Sequence, residues 1–128
     1  MTEIYCWTNI KCSIDGEHEE NIEFVLKTIK DNFSNLFRDK LVDIKIINAN
    51  YIIIATTCSN HYSDDVREII KMFYTISQIA IGSYGLIHIR NDEDKTNSNN
   101  FKIYKMAKGV VKILDDNLLS PCIPIIEI

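Results

Sequence analysis

Polar and apolar residues alternate with period two along several stretches of the chain and recur every three or four positions along two others, which sets out strands and helices. From residue 3 to residue 12, Ile4, Cys6, Ile10 and Cys12 share one face of a strand, while Tyr5, Trp7 and Asn9 share the other. Asp15-Gly16 ends that strand. Ile22, Val25, Leu26, Ile29, Phe33, Leu36 and Phe37 then follow at helical spacing, which predicts an amphipathic helix from about Glu17 to Phe37. Asp15, Glu17, Glu19 and Glu20 put acids at its start, where the helix dipole favours them. Val42, Ile44 and Ile46 alternate with Asp43 and Lys45 as a half-buried strand. Asn48-Ala49-Asn50 is a turn, and the β-branched run from Tyr51 to Thr57 is an interior strand, so the pair forms an antiparallel hairpin.

Ser63 with Asp64-Asp65 is a helix start, a capping hydroxyl followed by first-turn acids. Val66, Ile69, Ile70, Phe73, Ile76 or Ser77, and Ala80 make its apolar stripe, and Gly82 stands where a C-cap glycine would. Tyr84 to Arg90 alternates again as a strand. Gly82 and Gly85 bracket its start at places that call for close backbone approach or unusual dihedrals. Asn91 to Asn100 has no apolar anchor and reads as a mobile loop. Phe101 to Ala107 and Gly109 to Leu114 are two more strands around a turn at Lys108-Gly109. The end, Leu118-Leu119-Ser120-Pro121-Cys122-Ile123-Pro124, is apolar, but its prolines bar a helix interior or a central strand.

This order, β-α-β-β-α-β and then a β-hairpin, predicts one α+β domain over residues 1–128. Its core is ferredoxin-like, with two helices on one face of a mainly antiparallel sheet and a proline-containing extended tail. The even-numbered apolar residues of the first strand, with Gly85, Ile87 and Ile89, should face the helices. Tyr5, Trp7, Tyr84, Leu86, His88 and Arg90 then share the other face. That is a large aromatic surface to leave in water, so the tail or a partner should cover it, the tail in part through Leu118, Leu119 and Ile123.

Charge and chemistry narrow the function. The formal net charge is −4, and the sequence contains nothing that reads as a basic stripe, which argues against a phosphate- or nucleic-acid-binding protein. No apolar run is long enough to span a bilayer, and the N-terminus lacks the pattern of a signal peptide, so a cytoplasmic setting is expected. Cys6, Cys12, Cys58 and Cys122 form no CxxC or CxxH pattern and read as buried thiols. His18, His61 and His88 lie in no catalytic motif; a nucleophile–base–acid set can be drawn from Cys58, His61 and Asp64, but any chain of this length offers such triples. The Gly82–Gly85 turn follows a helix and precedes a strand, the reverse of a phosphate loop. Asn91-Asp92-Glu93-Asp94 lacks the spacing of a calcium loop and reads as a solvated turn, or as an acidic prong for a basic partner.

Three stretches carry a resemblance. They are Tyr5-Cys6-Trp7, the run from Gly82-Ser83-Tyr84-Gly85-Leu86 to Ile89-Arg90-Asn91-Asp92-Glu93-Asp94, and Leu119-Ser120-Pro121-Cys122-Ile123-Pro124. In order and spacing they are similar to the immunity protein 7 family of bacterial polymorphic toxin and contact-dependent inhibition systems. Cys6, Asn91 and Ile128 depart from the family pattern. The resemblance implies a cytoplasmic antitoxin without catalytic activity or cofactor. It would bind the C-terminal toxin domain of a cognate toxin, with a basic nuclease as one candidate, and would use neither nucleic acid nor a membrane. Glu19, Glu20, Asp92, Glu93, Asp94 and Arg90 are the expected toxin contacts. The reading from composition alone is different: a small non-enzymatic domain that uses the aromatic sheet face for RNA or a small ligand.

Overall fold

Residues 1–14 and 21–122 are described by a computed structural model. Their elements run in the order β1 (Thr2–Ile10), α1 (Ile22–Asn32), α2 (Ser34–Arg38), β2 (Val42–Ile47), β3 (Asn50–Ser59), α3 (Asp64–Ile79), β4 (Tyr84–Asn91), β5 (Lys102–Ala107) and β6 (Val110–Asp115). The six strands form one sheet in the order β2-β3-β1-β4-β5-β6, and every neighbouring pair is antiparallel. The first four strands thus stand in the interleaved order of a split βαβ fold, and the β5–β6 hairpin extends the sheet past β4. Both tight hairpins turn through left-handed residues, Asn48-Ala49 and Lys108-Gly109, the conformation that matches the twist of the flanking strands.

Alternation decides which side of the sheet is covered. Ile4, Cys6 and Ile10 of β1, Ile53 and Ala55 of β3, and Ile87 and Ile89 of β4 point to the helices and are buried. Against them lie Val25 and Ile29 of α1, Leu36 of α2, and Val66, Ile69, Met72, Phe73 and Ile76 of α3. Burial of these aliphatic and aromatic side chains, each worth roughly 1.5–3 kcal/mol, holds the two layers together. Ser63 caps α3 as expected, its hydroxyl accepting from Val66 N at 3.4 Å.

Where one long helix is predicted, the described residues form two, so three helices among them and not two lie on the sheet. Phe33 leaves helical geometry at φ −124° and ψ 33°, and Asn32 and Ser34 on either side favour caps and turns over helix interiors. The apolar stripe nevertheless continues through the break, because Ile29, Phe33 and Leu36 all stay buried. The expected start at Glu17 lies outside the described residues.

Gly82 is not a left-handed C-cap; α3 is capped at Ala80. Its reason is proximity: a Cβ there would sit 1.9 Å from the Ser13 carbonyl oxygen. Gly85 pairs with Thr8, and a Cβ on it would stand 2.2 Å from the Trp7 carbonyl oxygen and 2.8 Å from Thr8 Cα. Both glycines therefore serve the close approach of backbone to backbone.

The tail also differs from expectation. Leu118 and Leu119 are 88% and 58% exposed, so neither is buried as expected; Ile123 and Pro124 lie outside the described residues. The preceding turn is held by Asp116, whose carboxylate accepts from Leu118 N at 3.1 Å, Leu119 N at 2.9 Å and Ser120 Oγ at 2.8 Å. Ser120 Oγ accepts from Phe101 N in turn, at 2.8 Å. Burial acts to raise the Asp116 pKa, but the hydrogen bonds from Ser120, Leu118 and Leu119 together outweigh it and hold the carboxyl below its ordinary value.

Candidate functional site

Among the described residues, no helix lies on the second face of the sheet. Strand pairing sets its side chains in rows that cross the sheet. One row runs Asp43, Ile54, Trp7, Leu86, Lys105, Lys112, and the next runs Thr56, Tyr5, His88, Ile103, Leu114. Tyr5, Trp7 and Tyr84 remain 47%, 41% and 45% exposed at the centre of this face. They are held in place all the same. Trp7 meets Tyr84 edge-on with ring centroids 6.2 Å apart, and Asn9 Nδ2 donates to the Tyr84 hydroxyl at 3.0 Å. Phe101, where the chain enters β5, is the one aromatic on this side that is buried, and it roofs Tyr5 and His88 at about the same centroid distance. Part of the covering expected of the tail thus comes from Phe101.

At one end of the face a carboxylate is tied into the sheet by an ion pair. Glu3 Oε1 accepts from Arg90 Nε at 2.8 Å, and Glu3 Oε2 accepts from the Tyr5 hydroxyl at 2.8 Å. The bond to Glu3 is the main reason that the Tyr5 hydroxyl titrates above its ordinary value. Arg90 is thereby tied into the sheet, its side chain only 12% exposed. Beyond it the chain turns through Asp92, Glu93 and Asp94. Asp92 pairs with the N-terminal amine, and Glu93 Oε1 lies 2.7 Å from His61 Nδ1. Asp94 Oδ1 accepts from Thr96 N at 2.9 Å and Asn97 N at 3.2 Å, bonds that hold its carboxyl below the usual range. The stretch read as a mobile loop is therefore a succession of side-chain-capped turns, and Asn99 O accepts from Cys122 N at 2.8 Å. Asp92, Glu93, Asp94 and Arg90 are brought together at this end; Glu19 and Glu20 lie outside the described residues.

The opposite end is basic, a feature that the linear reading missed. Lys105 and Lys112 stand opposite one another across the β5–β6 ladder, with Lys108 in the turn. All three are exposed. The signal was available in the turn: once Lys108-Gly109 closes the hairpin, positions equidistant from it must pair.

Other chemistry does not assemble. His61 faces Glu93, Asp64 pairs with Arg67 at 3.0 Å, and Cys58 projects from the open face, so these three form no nucleophile–base–acid set. Among the described residues no three His, Cys, Asp or Glu side chains are grouped to hold a metal ion, and no helix is long and apolar enough to cross a membrane. The thiols are not uniformly buried. Cys6 is enclosed, and burial pushes its pKa up to about 12, whereas Cys58 is exposed.

The open face is a broad surface and not a cleft, with exposed aromatics at the centre and lysines at one end, while Asp94, past the end of β4, borders Tyr62, Ile89 and Tyr104 of the covered side. Comparison with known proteins gives one result. A sequence model of the family described as Immunity protein 7 matches residues 1–128. No curated protein and no solved structure matches the chain.

Proposed function

The chain belongs to the immunity protein 7 family, and from that premise we propose that it binds the C-terminal toxin domain of a cognate polymorphic toxin in the cytoplasm and blocks it by direct contact. Immunity protein families act in general by binding, and membership implies neutralisation of a toxin. The observation that carries the reading is the open sheet face, on which Tyr5, Trp7 and Tyr84 stay exposed while the core forms on the other side. Tyr and Trp are the residue types that dominate binding energy at protein interfaces, because they bring large area at little cost in side-chain entropy. Asp92, Glu93 and Asp94 supply charge at one end, next to Arg90, and Glu19 and Glu20 add to the same sign. Their visible ion pairs are exposed ones, worth about 0–1 kcal/mol each, so a toxin's arginines or lysines exchange for them readily. A basic nuclease surface would offer such groups.

The experiment uses the toxin domain encoded by the neighbouring upstream gene. Co-expression should restore growth, and titration calorimetry should give a one-to-one complex. Trp7→Ala should weaken that complex about 30-fold, the size of a central anchor residue. A toxin that neither binds the protein nor is blocked by it in cells would sink the proposal. Unchanged affinity in Trp7→Ala would move the contact away from the open face. Charge reversal of Glu19, Glu20, Asp92, Glu93 and Asp94 together should slow association at low salt, and no change there would remove the acids from the interface.

A further inference from the structure

The β5–β6 hairpin contains an arrangement that folding alone does not favour. Lys105 and Lys112 occupy directly paired positions of an antiparallel ladder on the open face, where like charges repel. Lys108, at φ 53°, adds a third ammonium in the turn. Lys102, on the same strand, has Asp115 at 3.1 Å, but Lys105, Lys108 and Lys112 have no acidic partner among the described residues. Together with Ala107 and Val110 they line a shallow depression of about 310 Å³. In a chain of net charge −4, this is a local reversal of sign.

We propose that the hairpin receives an acidic segment of the toxin domain, an inference that rests on the reading of the open face as the toxin-binding surface. The lysines continue the row that holds Trp7 and Leu86. At about 4.8 Å per strand, Lys112 lies roughly 14 Å from Trp7, inside the footprint of one ordinary interface. Asp92 to Asp94 follow the far end of β4, roughly 23 Å from Tyr84 along the strand at about 3.3 Å per residue. A face that joins an apolar centre to a basic hairpin favours a partner whose acids lie beside an apolar patch, and repels one whose surface is uniformly basic. The toxin surface that fits carries acids where it meets β5–β6, around an apolar centre.

Lys105→Glu separates this role from a structural one. It converts a repelling cross-strand pair into an attracting one, so the melting temperature should rise by about 2 °C. The same variant should associate with the toxin domain about 10-fold more slowly at low salt, and the deficit should shrink as salt is added. Lys105→Glu/Lys108→Glu/Lys112→Glu should be slower still. If the triple variant associates as fast as wild type at low salt, the inference is overturned while the immunity function stands. If the wild-type chain forms no complex, both fall. A single-stranded RNA oligonucleotide that binds wild type but not the triple variant, with toxin association unaffected, would also overturn it by assigning the lysines to nucleic acid.

Discussion

The two faces of β1 are built from adjacent residues and have opposite fates. Ile4, Cys6 and Ile10 are at most 4% exposed, whereas Tyr5 and Trp7, between them, are more than 40% exposed. The strand is common to both, so local conformation does not separate them. The difference is that α1, α2 and α3 lie on one side only. Residues on the covered side hold the fold; Tyr5 and Trp7 on the open side are partly supported by neighbouring rings and stay exposed. It follows that stability and binding should be separable by parity along a single strand.

The strongest way to break that comparison is to cut into the covered side. Phe73→Ala, at a fully buried site on α3, should cost about 4 kcal/mol in urea unfolding, through lost transfer energy and the cavity left behind. Trp7→Ala on the open side should cost about 1 kcal/mol, mostly the edge-on contact with Tyr84. Comparable losses at both sites would show that the open face is also core.

Gly85→Ala tests how tightly the covered side is built. The new methyl would meet the Trp7 carbonyl and Thr8 Cα, which are backbone and cannot swing aside, so β1 and β4 must separate. A loss of about 2–3 kcal/mol is expected from thermal unfolding, as for an overpacked core. A neutral result would mean that the two strands have slack between them.

Asp116→Ala probes the one roofed part of the open side. It removes the acceptor for Leu118 N, Leu119 N and Ser120 Oγ and should cost about 2 kcal/mol near neutral pH. The native carboxyl titrates below its ordinary value, so its stabilisation is present above the unfolded pKa, near 3.9, and is lost as pH falls through the native one. The gap between wild type and variant should therefore close in acid. A gap that does not change with pH would assign the effect to packing and not to the carboxylate.

The smallest intervention is chemical. Cys58 is exposed on the open side, and Cys6 is buried on the covered side with its pKa pushed up to about 12. A maleimide should label Cys58 in the folded protein and reach Cys6 only on unfolding, as mass spectrometry of the digested protein would show. Bound toxin should slow labelling at Cys58. Early labelling of Cys6 would contradict the burial assigned to that face.

Much of this was legible in the residues. Period-two alternation placed Ile4, Cys6, Ile87 and Ile89 on the helix side and Tyr5, Trp7, Tyr84 and His88 on the other, because side chains must alternate across a pleated strand. The motifs from Tyr5 to Trp7 and from Gly82 to Asp94 pointed to the immunity family that the full-length match establishes. The break at Phe33 was not legible, since periodicity reports which residues are buried and is blind to a helix that ends and resumes along the same stripe. The acids from Asp92 to Asp94 were visible, but their use of the N-terminus, His61 and the local backbone as partners was not.

What the sequence by itself determined was therefore the set of elements, the face that each strand buries and the family, since these follow from local propensity, side-chain periodicity and short motifs. Only the tertiary structure decided what each face meets. Leu118 and Leu119 stay exposed beside the Asp116 turn, and it is Phe101 that lies against Tyr5. The basic end of the sheet stands between sequence and tertiary structure: the Lys108-Gly109 turn is legible in the sequence, and the register it sets puts Lys105 opposite Lys112.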